Sequence, residues 1–373
     1  MAPSCHAAAA PSLDAAAGPL QTPRMGAPVR VVVLGTGQMG SAIASLLLEK
    51  PGLALVGAFA RRAERAGTDL GLALGLDPLG LAIEPDLPAL LARTRPDVAI
   101  QATCSRLADA AGELEACIEH GVHVVSIAEE LAWPVAYDPS FAARLDRRAV
   151  AYGVAVLGTG VNPGFVLDLL VIALSGACAR VDAIAATRVN DLSPYGPSVL
   201  RTQGVGLTPE VFRAGLLDGR VVGHVGFPAS IGMLAHALGW TIDRVEETRE
   251  PIVARVRREA RFATVEPGSV AGCHHRAVAW RDGRPVITLD HPQQVRPELE
   301  GVETGDLLEI AGTPALRVAS RPEIPGGVAT SALAVNAIPR VLAAAPGLRS
   351  MAELPVPAAL PGAAPRGGRV RDA

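Results

Sequence analysis

The sequence predicts an α/β protein: a doubly wound parallel sheet, followed by a second α+β domain with a mostly antiparallel sheet. Three observations carry this expectation. A β-branched run, Val29–Leu34, leads into Gly35-Thr36-Gly37-Gln38-Met39-Gly40 and an apolar stretch of helical character at 41–49. Strand-like and helix-like segments then alternate to about residue 157, the pattern of parallel strands joined by helical crossovers. Beyond that point longer extended segments take over, with Asp282-Gly283 placed between two of them as a hairpin turn.

Each element has its own justification. Val29–Leu34 is a short β-branched run, as a buried parallel strand should be. Pro51-Gly52 ends the first helix and Leu53–Phe59 is the second strand, so strand, glycine loop, helix and strand fit in about thirty residues, a βαβ unit. Further strands are expected at 97–102, 123–128 and 154–157, with helices at 107–120 and 139–152. The second domain is expected to hold helices at 163–174, 209–217 and 229–238 and a strand at 179–189. Extended segments at 252–265, 269–281 and 285–290 follow, then a pair at 307–311 and 316–320 turned at Gly312-Thr313-Pro314. A helix at 328–342 is expected to return to the first domain. The resulting division is an Ala/Pro-rich disordered extension (1–27), a dinucleotide-binding domain (28–157), a substrate and oligomerisation domain (158–324), the returning helix (325–347) and a loose tail (348–373). Met25 is an alternative start.

Composition narrows the function classes. A length of 373 residues suits two cores rather than one. A net charge of −3 offers no electrostatic footprint for nucleic acid or an anionic membrane. Five scattered cysteines with no CxxC point to a reducing, cytoplasmic setting. No apolar run approaches a membrane span, and the first two dozen residues lack the pattern of a secretory signal. Cys273-His274-His275 invites a metal reading, but neighbours in a strand point to opposite faces, so no metal is expected there.

A GxGxxG string is informative only between a strand and a helix, and here it has that setting. Gly35 makes the turn, Gly37 lets the backbone approach a pyrophosphate, and Gly40 lets helix and strand pack closely, which makes this half a Rossmann domain. Thr36, Gln38 and Met39 complete the loop. At the end of the second strand, where a carboxylate would select NAD, the chain has Ala60 followed by Arg61 and Arg62. Guanidinium groups pair with a 2′-phosphate, which favours NADP and leaves NAD possible. A plainer reading of both arginines is a solvated helix start.

From here the chain resembles the 2,4-diaminopentanoate dehydrogenases, relatives of the dihydrodipicolinate reductases and of native amine dehydrogenases. The matching text includes SIAEELAWP (126–134), VLGTGVNPGFVLDLL (156–170), RVNDLSPYGPSVLRTQGVG (188–206) and VGHVGFPASIGMLAHALGW (222–240). HPQQVRPELEGVETGD (291–306) and RPEIPGGVATSALAVNAIPRVLAAAPGL (321–348) extend it, so the resemblance spans about residues 29 to 357. It implies oxidative deamination of 2,4-diaminopentanoate at C4 with NADP or NAD, in an enzyme that forms a homodimer or larger assembly. A broader amine dehydrogenase is the enzymatic alternative, and a non-catalytic dinucleotide sensor is the alternative from another class. The basic, His-rich substrate loop of the dihydrodipicolinate reductases has no counterpart here, which speaks against a tetrahydropyridine substrate.

Such chemistry needs a carboxylate near the amine-bearing carbon. Glu129 and Glu130 follow a parallel strand at its carboxyl end, where Rossmann ligands sit, and the resemblance points to the same segment. Glu129 is favoured; the competing reading makes both first-turn helix acids. Thr103, Cys104 and Ser105 end the preceding strand and are expected beside the nicotinamide ribose. On the substrate side, Asn162 opens a helix at the domain junction, and Arg188 suits the α-carboxylate. Asn190 and Asp191 share its loop, with Asp191 suited to the α-ammonium, although Arg–Asp pairs often just brace a loop. His224 and His291 are further substrate-side candidates, and Asn336 is a cofactor-side one.

Overall fold

The computed structural model describes residues 27–362. The Ala/Pro-rich extension, the alternative start at Met25 and the last part of the expected tail (363–373) lie outside the described residues. The first sheet contains β1 (Val29–Leu34), β2 (Leu53–Phe59), β3 (Ile83–Glu84), β4 (Val98–Gln101), β5 (His123–Ser126) and β6 (Ala155–Gly158). Between them run α1 (Gln38–Leu48), α2 (Leu70–Ala73), α3 (Leu87–Thr94), α4 (Leu107–Glu119) and α5 (Pro139–Ala151). Neighbouring strands are parallel throughout.

Beyond exposed Arg30, the apolar run Val31–Leu34 of β1 follows from double-sided burial. Val31 and Val33 pack with Ile43 and Leu47 of α1, whereas Val32 and Leu34 face Leu90 of α3 and Leu114 of α4. Each layer is specified by one parity of residue, so neither side of the strand tolerates polarity.

The second sheet begins after α6 (Leu169–Ser175) with β7 (Arg180–Asp191). Helices α7 (Pro197–Thr202), α8 (Pro209–Asp218) and α9 (Phe227–Leu238) precede β8 (Arg244–Val253), and a small hairpin β9 (Arg258–Ala260) and β10 (Ala263–Val265) stands apart from the sheet. Then come β11 (Val270–Arg281), β12 (Arg284–Gln294), β13 (Gly305–Thr313) and β14 (Leu316–Ser320), giving the order β14-β13-β7-β12-β11-β8. Only β7 and β12 pair in parallel. The hairpin between β11 and β12 turns at Asp282-Gly283, with Asp282 at φ 51° and Gly283 at φ 71°, as a turn with two left-handed residues requires. Ile184, Ala186, Ile287 and Leu289 bury the inner face against α6 and α9, and that core is continuous with one face of the first sheet.

The chain then returns as α10 (Gly326–Asn336) and α11 (Ile338–Leu342), whose Leu333, Ala334 and Ile338 join the same core as Ile43 and Leu47. A last strand, β15 (Gly347–Arg349), pairs parallel to β6 and completes the sheet as β15-β6-β5-β4-β1-β2-β3.

Three expectations need correction. Residues 348–362 are not a loose tail: β15 is part of the sheet, the Leu360 amide donates to Asn336 Oδ1 (2.9 Å), and Lys50 Nζ donates to the Leu360 carbonyl (3.0 Å). The helix expected from 163 begins only at Leu169. The buried Asp168 carboxylate accepts from Gly164 N (2.8 Å), Leu169 N (2.6 Å) and Ser230 Oγ (2.8 Å), which folds the preceding residues into a compact loop. The extended segment 252–265 is broken into the end of β8 and the β9–β10 hairpin, where buried Arg258 is tied to Glu300 (2.7 Å). No helix among the described residues is long and apolar enough to cross a membrane.

Candidate active site

The cradle at the end of β1 has the shape a dinucleotide pyrophosphate needs. Gly35 sits at φ 107°, and a Cβ there would lie 2.6 Å from the Ala102 carbonyl oxygen, so the ends of β1 and β4 are in contact. A Cβ on Gly40 would lie 1.9 Å from the Gly35 carbonyl oxygen. At Gly37 a Cβ would meet nothing within 4 Å, and this residue caps α1 without any side-chain acceptor. Open space therefore faces the uncapped N–H groups of an eleven-residue helix, which suits a bound pyrophosphate. Gly40→Ala is expected to cost about 1–3 kcal/mol of stability through backbone overpacking and to weaken binding of a nicotinamide dinucleotide at least tenfold. Thermal denaturation with and without NAD or NADP checks both.

Thr36 is buried, and its carbonyl accepts weakly from Ser41 Oγ (3.4 Å). Gln38 Nε2 donates to the Pro194 carbonyl (3.1 Å), and Met39 Sδ lies 3.9 Å from where a Gly327 Cβ would be. The glycine loop thus touches both the second domain and the returning helix.

Arg61 does not extend outward from β2. Its Nε meets Glu113 Oε1 of α4 at 2.6 Å, and its Nη2 donates to the Asp109 carbonyl (2.5 Å) and lies 3.7 Å from Cys104 Sγ. Arg62 is exposed. Thr103 Oγ1 donates to Glu113 Oε2 (2.5 Å) and accepts from Gln101 Nε2 (2.6 Å), so its hydroxyl is spent inside the fold. Asn336, expected on the cofactor side, instead holds Leu360.

The adjacent acids part company. Glu130 Oε2 accepts from the Leu107 amide (2.8 Å) and caps α4, while its own amide donates to the Ser105 carbonyl (3.2 Å). Glu130 is thus tied to the start of α4, a helix other than the one it opens, a role distinct from a first-turn acid of its own helix. The Glu129 side chain is only partly exposed, and desolvation there pushes its pKa above the ordinary glutamate value.

On β7, Arg188 and Asn190 share one face because side chains alternate. Arg188 is 2% exposed; Nη1 meets Asp306 Oδ1 at 2.5 Å and Nη2 donates to the Ile324 carbonyl at 2.6 Å. Asp306 Oδ2 in turn accepts from the Ile324 amide (2.8 Å). The expected fork for a carboxylate is thus occupied by Asp306, because two like-placed strands bring the pair into register. Asp191 is likewise a loop brace: Oδ1 accepts from Ser193 N (2.8 Å), Ser193 Oγ (2.6 Å) and Arg296 N (3.1 Å), which leaves it no free lobe for an ammonium on that oxygen.

The remaining candidates converge. Asn162 Nδ2 lies 3.2 Å from His224 Nε2, and the His224 and His291 rings are 5.1 Å apart, edge to face. His291 Nδ1 donates to the Arg188 carbonyl (2.6 Å). Burial and the Arg188 charge push the His291 pKa down to about 3, and burial with neighbouring His291 and His275 holds His224 well below its usual value. Both imidazoles are neutral at pH 7. Asn162 Oδ1 and Asn190 Oδ1 are buried acceptors without a partner in the fold. Tyr137 joins this region to the carboxyl end of β5, donating to the Val225 carbonyl at 2.7 Å.

Tyr195, His275, Glu247 and Glu113 were not singled out for the site by sequence reasoning. Tyr195 stands against Gly326, where a Cβ would lie 2.1 Å from its hydroxyl. It is one of three tyrosines in the chain and lies inside a quoted motif, a signal available beforehand. His275 accepts from the His224 amide at Nδ1 (3.0 Å) and is held at Nε2 by Glu247 (2.9 Å), a pairing across β8 and β11 invisible without the register. His274 pairs with Asp290 (2.6 Å) and Cys273 is buried, so the Cys-His-His run is split between faces. Among the described residues no cluster of metal-binding side chains is present.

Residues 165–367 match the family model described as 2,4-diaminopentanoate dehydrogenase C-terminal domain, and residues 29–127 match the one described as dihydrodipicolinate reductase, N-terminus. The chain is 41% identical to 2,4-diaminopentanoate dehydrogenase of Acetoanaerobium sticklandii over 90% of this chain and 95% of that one. It is 26% identical to an amine dehydrogenase of Streptomyces virginiae over 88% and 96% of the respective chains. The structure of an amine dehydrogenase from Mycobacterium smegmatis superposes with a TM-score of 0.80 at 30% identity, covering 88% of this chain and 97% of that one.

Proposed function

The chain belongs to the 2,4-diaminopentanoate dehydrogenase family, and from that premise we propose that it deaminates 2,4-diaminopentanoate oxidatively at C4. Substrate, water and NAD(P)⁺ give 2-amino-4-oxopentanoate, ammonium, NAD(P)H and a proton. The nicotinamide, when bound, would supply the hydride acceptor. Glu129 takes the proton that frees the amine lone pair and then orients water toward the substrate iminium. The observation that carries the substrate reading is the set of unsatisfied buried acceptors, Asn162 Oδ1 and Asn190 Oδ1, beside a neutral His291. Because His291 spends Nδ1–H on the Arg188 carbonyl, its Nε2 offers a lone pair. Buried acceptors cost free energy until a donor arrives, and a diamino acid brings two ammonium groups. His224 contributes a ring N–H for the α-carboxylate.

On the cofactor side Arg61 and Arg62 favour NADP with NAD also used, and Thr103, Cys104 and Ser105 border the ribose. We place the enzyme in the cytoplasm as a homodimer or larger assembly paired through the second sheet. NAD(P)H formation at 340 nm, with 2,4-diaminopentanoate or a simple amine and either cofactor, tests the reading. Turnover of the diamino acid at least tenfold above the simple amine is expected. Preference for the simple amine would move the protein to the broader amine dehydrogenases, a reading favoured by the similarity to the Mycobacterium smegmatis enzyme. NADP binding without any turnover would leave a dinucleotide sensor.

A further inference from the structure

We propose that Glu113 is a determinant of cofactor preference: its carboxylate neutralises Arg61 from beneath, weakening this arginine's hold on a 2′-phosphate and keeping it serviceable for a free 2′-hydroxyl. The inference rests on the reading of Arg61 as the 2′-contact.

The position of Glu113 is unusual for its helix. The buried stripe of α4 consists of Leu107, Ala110, Leu114, Cys117 and Ile118, and Glu113 is its one charged member. A carboxylate on a core-facing stripe costs free energy unless it is paired and hydrogen-bonded. Glu113 is both: Oε1 faces Arg61 Nε at 2.6 Å, and Oε2 accepts from Thr103 Oγ1 (2.5 Å) and Gln101 Nε2 (3.3 Å). Packing alone would be served by an uncharged residue of the same shape.

The ion pair is also one-sided. The Glu113 side chain is 8% exposed and that of Arg61 42%, so the inner edge of the guanidinium meets the carboxylate while its outer surface faces solvent at the end of β2. Further contacts with the Asp109 carbonyl and Cys104 fix its orientation. A phosphate arriving on the outer surface meets a guanidinium already half-neutralised, with a fixed negative charge a few ångströms behind it in a poorly solvated layer. A ribose hydroxyl needs only an N–H donor and does not feel the loss of net charge. Arg62, exposed and without an ion-pair partner among the described residues, is left as the unneutralised cation.

The test is calorimetric titration of full-length protein with 2′,5′-ADP and with 5′-AMP, which reports binding independently of turnover. Glu113→Gln keeps the shape and the acceptor and removes the charge. It is expected to raise the preference for 2′,5′-ADP over 5′-AMP about tenfold, whereas Glu113→Asp, which keeps the charge, should shift it less than threefold. In an Arg61→Ala background the Gln substitution should have no effect, since its action passes through that guanidinium. An unchanged or reduced preference in E113Q, with Arg61→Ala still lowering it, overturns the inference and makes Glu113 only a support for Arg61. If Arg61→Ala itself leaves the preference unchanged, the 2′-contact reading fails instead, and the inference with it.

Discussion

Replacing Glu129 with Gln is expected to lower kcat for amine oxidation by about 10²–10⁴-fold, the range general acid–base groups supply, while affinity for the nicotinamide dinucleotide changes less than about threefold. Its carboxyl has a pKa raised by desolvation, and in the proposed oxidation it acts as the base. The rate of the native enzyme should therefore climb with pH through a midpoint above the ordinary glutamate value, and that limb should vanish in the variant. Stability moves the other way. A glutamate whose folded pKa is raised binds its proton more tightly folded than unfolded, so native stability falls as pH rises from the unfolded pKa to the folded one and stays reduced above it. E129Q removes that loss, and its melting temperature at pH 7 should equal or exceed that of the native protein. Glu130→Gln, by contrast, weakens the start of α4 by about 0.5–2 kcal/mol and leaves the pH–rate limb in place. Stopped-flow hydride transfer across pH, with melting curves for both variants, separates the two acids; loss of the limb in E130Q alone would reverse their roles.

Asp306→Ala is expected to destabilise the fold by about 3–5 kcal/mol, because it leaves the guanidinium of Arg188 buried without its counter-charge. Arg188 is 2% exposed and Asp306 4%, so water cannot take over. Both partners also hold Ile324, two residues ahead of α10, and α10 packs on α1 beneath the glycine loop. The defect should therefore reach the dinucleotide cradle, seen as weaker NADP protection against urea. Replacing both residues with leucine should restore much of the lost stability, since an apolar pair of similar bulk carries no desolvation cost. A single-variant loss below about 1 kcal/mol in urea titrations would show that the guanidinium finds other partners.

What was legible beforehand was what is local. The apolar run of β1, the glycines behind it and the Asp282-Gly283 turn carry their structure within a few residues. The Arg188–Asp306 pair spans 118 positions and the Arg61–Glu113 pair 52, and nothing in either neighbourhood signals the other. Arg188 accordingly looked like a ligand-binding fork from its type alone. The separation of Glu129 from Glu130 needed the Leu107 amide, supplied by a different helix. Strand β3 has two residues, too few for any period to show, whereas α3 did carry a readable start in Asp86, whose side chain accepts from Ala89 N (3.0 Å), followed by Pro88. The unsatisfied oxygens of Asn162 and Asn190 are a property of the assembled cleft and of no sequence motif.

Strand β15 bears on how the protein is made. It is parallel to β6 and lies at the margin of the first sheet, yet nearly two hundred residues separate the two in the chain. On the ribosome, β1 to β6 emerge first and can associate, but the backbone groups on the outer side of β6 stay unpaired until Gly347–Arg349 has been synthesised. At 5–20 residues per second that interval lasts roughly ten to forty seconds, during which the nascent sheet presents a bare edge of the kind that recruits other strands. A fragment ending before residue 347 would carry that vulnerability permanently, so the nucleotide-binding half is not a detachable module: its last structural piece is delivered by the far end of the polypeptide.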